Sequence, residues 1–282
     1  MATLKVGKSL QDTDVLWRYL TLDKFIDLVD SKSLFFAPLA WYAQTDPFEG
    51  YVPQVAMEAM ASIPKKFQAE QAVMLEKLAQ MLPDEAAPQL RKLREDVERH
   101  VPTMKAIFKN VSSCLMVNCW YKSSHESEGM WGLYSKNGVA IKTSVGALKS
   151  SIISTDLNPA IHLGSIKYID FSDASLTPPD CVSEDGQLFG MIKRIAYSHE
   201  QEVRMYITRD RRGNMLEIQD PAPMRVSVDI EKLLEAVVIS PFAGESISQS
   251  VRAICKWAKV NSNLVSKSNL LDNCEYLLDA YS

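Results

Sequence analysis

The chain has 282 residues, 46% of them hydrophobic and 23% charged, which is the ordinary composition of a globular protein able to bury a core. Its formal charge of −4 advertises no broad basic face for duplex DNA, while leaving room for a local basic groove. Five cysteines at irregular spacing argue against a disulfide framework, and no second Cys/His pair follows Cys114 and Cys119 at zinc-like spacing, so no metal is expected.

Met1 to Lys8 holds no long apolar stretch, and nowhere does a run of about 18 apolar residues occur. The expectation is a cytoplasmic chain with no leader and no membrane contact. Val15 to Tyr19 is short, apolar and aromatic and reads as a strand. Alternation puts Arg18 on the opposite face from Trp17 and Tyr19. Arg18 then either lies in solvent on an edge strand or faces a phosphate-bearing ligand, because a buried guanidinium needs an anion. Thr21 caps a helix from about Leu22 to Asp30. Leu34 to Ala37 is a second strand, stopped by Pro38. A loop follows, containing Thr45-Asp46-Pro47-Phe48-Glu49. Asp46 suits an Asx turn, whereas Glu49 has no evident structural duty and is a candidate cleft carboxylate.

Gln54 to Asn110 changes composition: it is rich in Ala, Gln, Lys, Glu, Met and Leu and contains no Gly. Two or three amphipathic helices are expected, broken near Pro64, Pro83, Pro88 and Pro102. This segment, 54–110, reads as a helical insertion within a single domain spanning 1–282. It should pack beside the cleft and influence the choice of acceptor or partner.

Val111 to Trp120 reads as a buried strand. The polar loop after it contains Ser123-Ser124-His125-Glu126. Neighbouring residues rarely face one another as a catalytic triad requires, and no G-x-S-x-G is present, which speaks against a serine hydrolase. A short helix at Met130 to Ser135 places Trp131 and Tyr134 on one face, as core or as a platform for a ligand. Val139 to Lys142 is a strand, and Ser144 caps the next helix. Ser165 to Ile169 is a strand, Asp170 to Asp185 a loop, Leu188 to Tyr197 helical, and Glu202 to Thr208 a strand. Glu200 and Glu202 then project to one side at the start of that strand. Two such carboxylates raise one pKa unless a cation intervenes; a solvated edge paired to Lys193, Arg194 or Arg204 is the plain alternative. Strands at Met224 to Val228 and Ala236 to Ser240, a helix at Ile247 to Lys259 and a strand at Leu264 to Ser266 complete the set.

Many short strands that do not alternate regularly with helices indicate an α+β sheet. No G-x-G-x-x-G follows a strand and no Walker-type Gly-Lys-Ser/Thr occurs, which argues against Rossmann and P-loop sites.

Four motifs in order carry a resemblance. They are Trp17-Arg18-Tyr19, Thr45-Asp46-Pro47-Phe48-Glu49, Met130-Trp131-Gly132-Leu133-Tyr134 with Gly138-Val139-Ala140-Ile141, and Glu200-Gln201-Glu202-Val203-Arg204. Together they resemble the bacterial family designated domain of unknown function 2971, with Thr45 where that family usually has Asn. The order of elements is also similar, more loosely, to the ADP-ribosyltransferase superfamily, in particular its DNA-modifying toxins. That second likeness implies a split β-sheet core and NAD as substrate, with a nucleic acid or protein as acceptor. It also implies a toxin or antiphage setting, with room for a neutralising antitoxin or regulatory protein. By the same likeness Arg18 or Tyr19 meets the NAD diphosphate or nicotinamide ribose, and Trp131 or Tyr134 stacks on nicotinamide. Glu202 holds the ribose and stabilises the oxocarbenium ion, Glu200 helps present the acceptor, and Glu202→Gln should fold near-normally. NAD hydrolysis at the same site, and a non-catalytic sensor or interaction module, are the alternatives.

Overall fold

The computed structural model describes residues 4–153, 160–208 and 222–274. In chain order the elements are β1 (Leu4–Val6), β2 (Val15–Leu20), α1 (Leu22–Ser31) and β3 (Ser33–Pro38), a 3₁₀ helix Leu39–Gln44, α2 (Gln54–Met81), α3 (Ala87–Cys114), β4 (Leu115–Lys122) and α4 (Glu128–Tyr134). Then come β5 (Val139–Ser144), α5 (Val145–Ser151), β6 (Ile161–Ser165), β7 (Lys167–Ile169), β8 (Ile192–Arg194), a 3₁₀ helix Ile195–Glu200 and β9 (Glu202–Thr208). The described part closes with β10 (Met224–Ser227), α6 (Ile230–Leu233), β11 (Ala236–Ile239), α7 (Glu245–Trp257) and β12 (Val265–Lys267). The chain is an α+β protein, and none of its described helices is long and apolar enough to cross a membrane.

The main sheet runs β1-β6-β9-β4-β2-β5-β11-β12, with β3 and β10 branching from β4. The branch positions the site. On one edge β4 pairs with β9 from Leu115 to Tyr121. On the other, β3 takes Met116 and Val117, and β2 takes Tyr121 and Lys122. Asn118 to Trp120 lie between those two pairings, at a split in the sheet. The Asn118 side chain reaches across it, its Nδ2 donating to the Phe35 carbonyl at 2.9 Å.

Alternation along β9 sorts its residues. Val203, Met205 and Ile207 enter the large core shared with Phe25, Leu28, Leu148 and Val251 of α1, α5 and α7. Glu202, Arg204 and Tyr206 take the other face. There a second cluster gathers Trp17, Tyr19, Tyr121, Met130 and Trp131, and a third gathers Leu39, Val117 and Tyr206. β9 is therefore an interior strand between β4 and β6, not a solvated edge.

Several expected boundaries move. Pro64 and Pro102 lie inside two 28-residue helices, which break only at Leu82–Pro83. Each proline removes one helical hydrogen bond, and long flanking turns absorb the loss. Val111 to Cys114 continue α3 instead of opening β4. The expected helix over Leu188–Tyr197 is a turn, the short strand β8 and a 3₁₀ helix, because β8 pairs with β7. β1 and β6 were not expected; both are short, and β6 contains a Gly that weakens its pattern. Thr21 occupies the N-cap of α1, but its side chain makes no capping bond.

Candidate functional site

A cleft of about 400 Å³ opens at the split, and residues from both faces of the sheet line it. Arg18, Leu20 and Lys24 come from β2 and α1, Tyr42 and Glu49 from the segment after β3, and Cys119 and Trp120 from β4. Tyr134, Lys193, Glu200, Glu202 and Arg204 complete the wall. Three of the four sequence motifs thus contribute their polar residues to one place, together with the tyrosine of the fourth.

The floor is an ion network. Arg204 grips Glu202 with two prongs, Nε donating to Oε1 at 2.6 Å and Nη2 to Oε2 at 3.1 Å. Its Nη1 donates to Glu49 Oε1 at 2.8 Å and to the Gly190 carbonyl at 2.6 Å. Lys193 Nζ stands 2.6 Å from Glu200 Oε2, 2.8 Å from Glu202 Oε2 and 3.6 Å from Glu49 Oε2. Three carboxylates face two cations, so the cluster carries one surplus negative charge. Burial alone would push the Glu202 carboxyl up, but the Arg204 and Lys193 charges overrule it and hold it well below the usual carboxylate range. The same carboxylates hold Lys193 above its ordinary value despite its burial.

Glu200 and Glu202 do converge, though not by strand alternation. Glu200 ends the 3₁₀ helix, and Gln201 follows in the left-handed region, φ 38° and ψ 48°, which turns the chain into β9. Lys193 then bridges the two carboxylates. Glu200 Oε1 also accepts from the Tyr134 hydroxyl at 2.7 Å. Burial and the Glu200 charge push the Tyr134 phenol up. The Glu202 amide donates to the Tyr168 hydroxyl at 2.8 Å.

Arg18 differs from this network. It lies over the Trp120 ring, 5.7 Å from its centroid, with no carboxylate paired to it among the described residues. Burial depresses its pKa. The Trp120 indole nitrogen is buried without a hydrogen-bond partner.

Four expected roles change. Trp131 is 0% exposed, its Nε1 donates to Glu126 Oε2 at 2.8 Å, and Tyr19 packs edge-on against it; it belongs to the core and cannot be a stacking platform. Tyr134, 45% exposed, is the aromatic ring that the helix presents to the cleft. Tyr19 lines the cleft, but its hydroxyl already accepts from the Ser127 amide at 2.8 Å. Glu49 is buried with a structural duty after all, as a counter-ion of Arg204. Lys193 is more than a partner on a solvated edge: its side chain is only 10% exposed. Asp46 fulfils the Asx expectation, Oδ1 accepting from the Phe48 amide at 3.0 Å, and also pairs with Arg194 at 2.6 Å. Arg194 in turn stacks on Phe48 and Tyr197.

The sequence reading passed over Cys119 and Tyr168, both beside Glu202. Neither sits in a distinctive motif; only the β4–β9 register, which sets Cys119 opposite Arg204, brings one of them in. Comparison with protein-family models, curated proteins and solved structures returns no match to this chain.

Proposed function

We propose that the cleft binds NAD and that the chain transfers ADP-ribose from it to a macromolecular acceptor, a nucleic acid or a protein. The observation that carries this reading is the division of charge across the split. Arg18, without an ion-pair partner among the described residues, and Lys24 stand on the β2–α1 side, and a carboxylate cluster with one surplus negative charge stands opposite. NAD matches both halves: its diphosphate needs cations, and its ribose C1′ gains positive charge as nicotinamide departs. The split in the sheet and the looser likeness in element order to the ADP-ribosyltransferases support the same reading.

In this scheme Arg18 meets the diphosphate, and Tyr134 covers the nicotinamide ring. The glycosidic bond breaks with its electron pair going to the nicotinamide nitrogen. The surplus negative charge stabilises the cation left at C1′. An acceptor oxygen or nitrogen attacks C1′, and Glu200 takes its proton. Glu200 is better placed than Glu202 to meet a ligand, because its side chain is the more exposed, 11% against 5%, and lies outside the two-pronged grip of Arg204. Glu202 instead fixes the field of the cluster. The hold of Arg204 and Lys193 on Glu202 also favours a second reading, a module that binds an ADP-ribose-like ligand without cleaving it.

The deciding experiment incubates the purified chain with NAD labelled in the adenosine half, with and without cellular nucleic acid and protein. Nicotinamide release with label transfer supports transfer. Release alone means hydrolysis. Binding without release supports the non-catalytic module.

A further inference from the structure

A second cavity, of about 430 Å³, lies where the base of the α2–α3 hairpin meets the segments flanking the cleft. Its walls are mostly apolar: Met57 and Pro64 from α2, Val101, Met104 and Phe108 from α3, and Phe189 from the turn before β8. The Phe108 and Phe189 rings lie 5.7 Å apart. A pocket of this size and lining is of the kind that encloses small organic molecules. Proline interrupts the hydrogen bonding of each helix at this level, Pro64 in α2 and Pro102 next to Val101 in α3.

Charge at the cavity is of one sign. Lys65 from α2 and Lys105 from α3 both line it, both are exposed, and neither has an ion-pair partner among the described residues. No Asp or Glu lines it. An apolar pocket with two unpaired ammonium groups selects a ligand with an apolar body and an anionic end. We propose that this cavity binds a single-chain amphiphile with an acidic head, of the fatty-acid class. Its chain lies among the Met, Val and Phe side chains, and its head lies near Lys65 and Lys105.

The cavity also touches the cleft's supports. Gly50 and Tyr51 line it and directly follow Glu49, and Phe189 directly precedes Gly190. Glu49 and the Gly190 carbonyl are the two acceptors of Arg204 Nη1. An occupant therefore presses on the two chain segments that hold Arg204. The binding site itself does not depend on what the cleft binds.

Calorimetry on the full chain with dodecanoate below its micelle concentration tests the proposal, with dodecyltrimethylammonium as a tail-matched cation. The expected result is saturable dodecanoate binding, with the cation at least about tenfold weaker. Lys65→Glu with Lys105→Glu should reverse that preference. Ala61→Phe, which fills the cavity from α2, should abolish dodecanoate binding at an unchanged melting temperature. The proposal is overturned if dodecanoate shows no saturable binding, if both head groups bind equally, or if Ala61→Phe binds as well as wild type. Should Ala61→Phe fail to fold, the charge-reversed pair, at two exposed positions, decides alone.

Discussion

Glu202 and Arg204 stand two residues apart on β9 and meet in a two-pronged ion pair, at 2.6 and 3.1 Å, on a face of the sheet where both are buried. Breaking a buried pair from one side costs about 3–5 kcal/mol where the other charge is left uncompensated. Here Glu49 still faces Arg204 and Glu200 still faces Lys193, so Glu202→Gln is expected to lower stability by less than that, read as a fall in the urea midpoint. This differs from the sequence expectation of near-normal folding. An unchanged midpoint would contradict the network described here.

The pH dependence of stability follows from the same residue. The folded pKa of Glu202 is depressed by Arg204 and Lys193, so the unfolded state takes up the proton first as pH falls. Its contribution is fully present above the ordinary glutamate pKa of about 4.3 and is lost as pH drops through and below that value. Urea midpoints should vary little between about pH 5 and 7 on account of this group and fall below about pH 4. The acid fall should be shallower in Glu202→Gln; identical slopes in the two proteins would rule this group out as a source of the acid sensitivity.

Gln201 adopts the left-handed conformation between the two glutamates. That geometry costs an L residue roughly 1–2 kcal/mol, and glycine escapes it while gaining freedom in the unfolded chain. Gln201→Gly should fall within roughly 0.5 kcal/mol of wild type, whereas Gln201→Val should lose roughly 1–2 kcal/mol. Thermal unfolding of the two variants measures the difference, and a tolerated valine would show that the turn is not constrained as described.

Among the described residues Arg18 has no ion-pair partner to lose, and it lies over the Trp120 ring. Arg18→Ala should fold with a melting temperature close to wild type. Its affinity for ADP-ribose should fall about 10–100-fold, the worth of one or two charge-assisted hydrogen bonds. Calorimetry checks this. Equal affinity in wild type and variant would remove Arg18 from the ligand.

Sequence pattern revealed the strands best where alternation or an apolar run was clean, as in Val15–Leu20, Val139–Ser144 and Glu202–Thr208. It failed where pairing partners decide the conformation. Ile192–Arg194 has the composition of a helix and becomes a strand because Lys167–Ile169 offers it an edge. The site was legible as a set of residues but not as a set of roles. Glu49, Glu200, Glu202 and Tyr134 all come to the cleft, yet only the chain's folding shows that Glu49 neutralises Arg204 from 155 residues away. Trp131 misleads because a three-residue spacing puts it on a face with Tyr134 without saying which of the two is covered.

The central claim is that the Glu200 side of the cleft drives cleavage of NAD. Its most direct test is the rate of nicotinamide release by wild type and by Glu200→Gln. Glu200 lies outside the Arg204 pair, so the variant should fold, with the amide oxygen accepting from Lys193 and the amide NH2 donating to the Tyr134 hydroxyl. A preorganised charge of this type is worth about 10²–10³ in rate. Nicotinamide release by wild type, reduced by at least that order in a folded Glu200→Gln, is the predicted result. Release that is absent from wild type, or undiminished in Glu200→Gln, would contradict it.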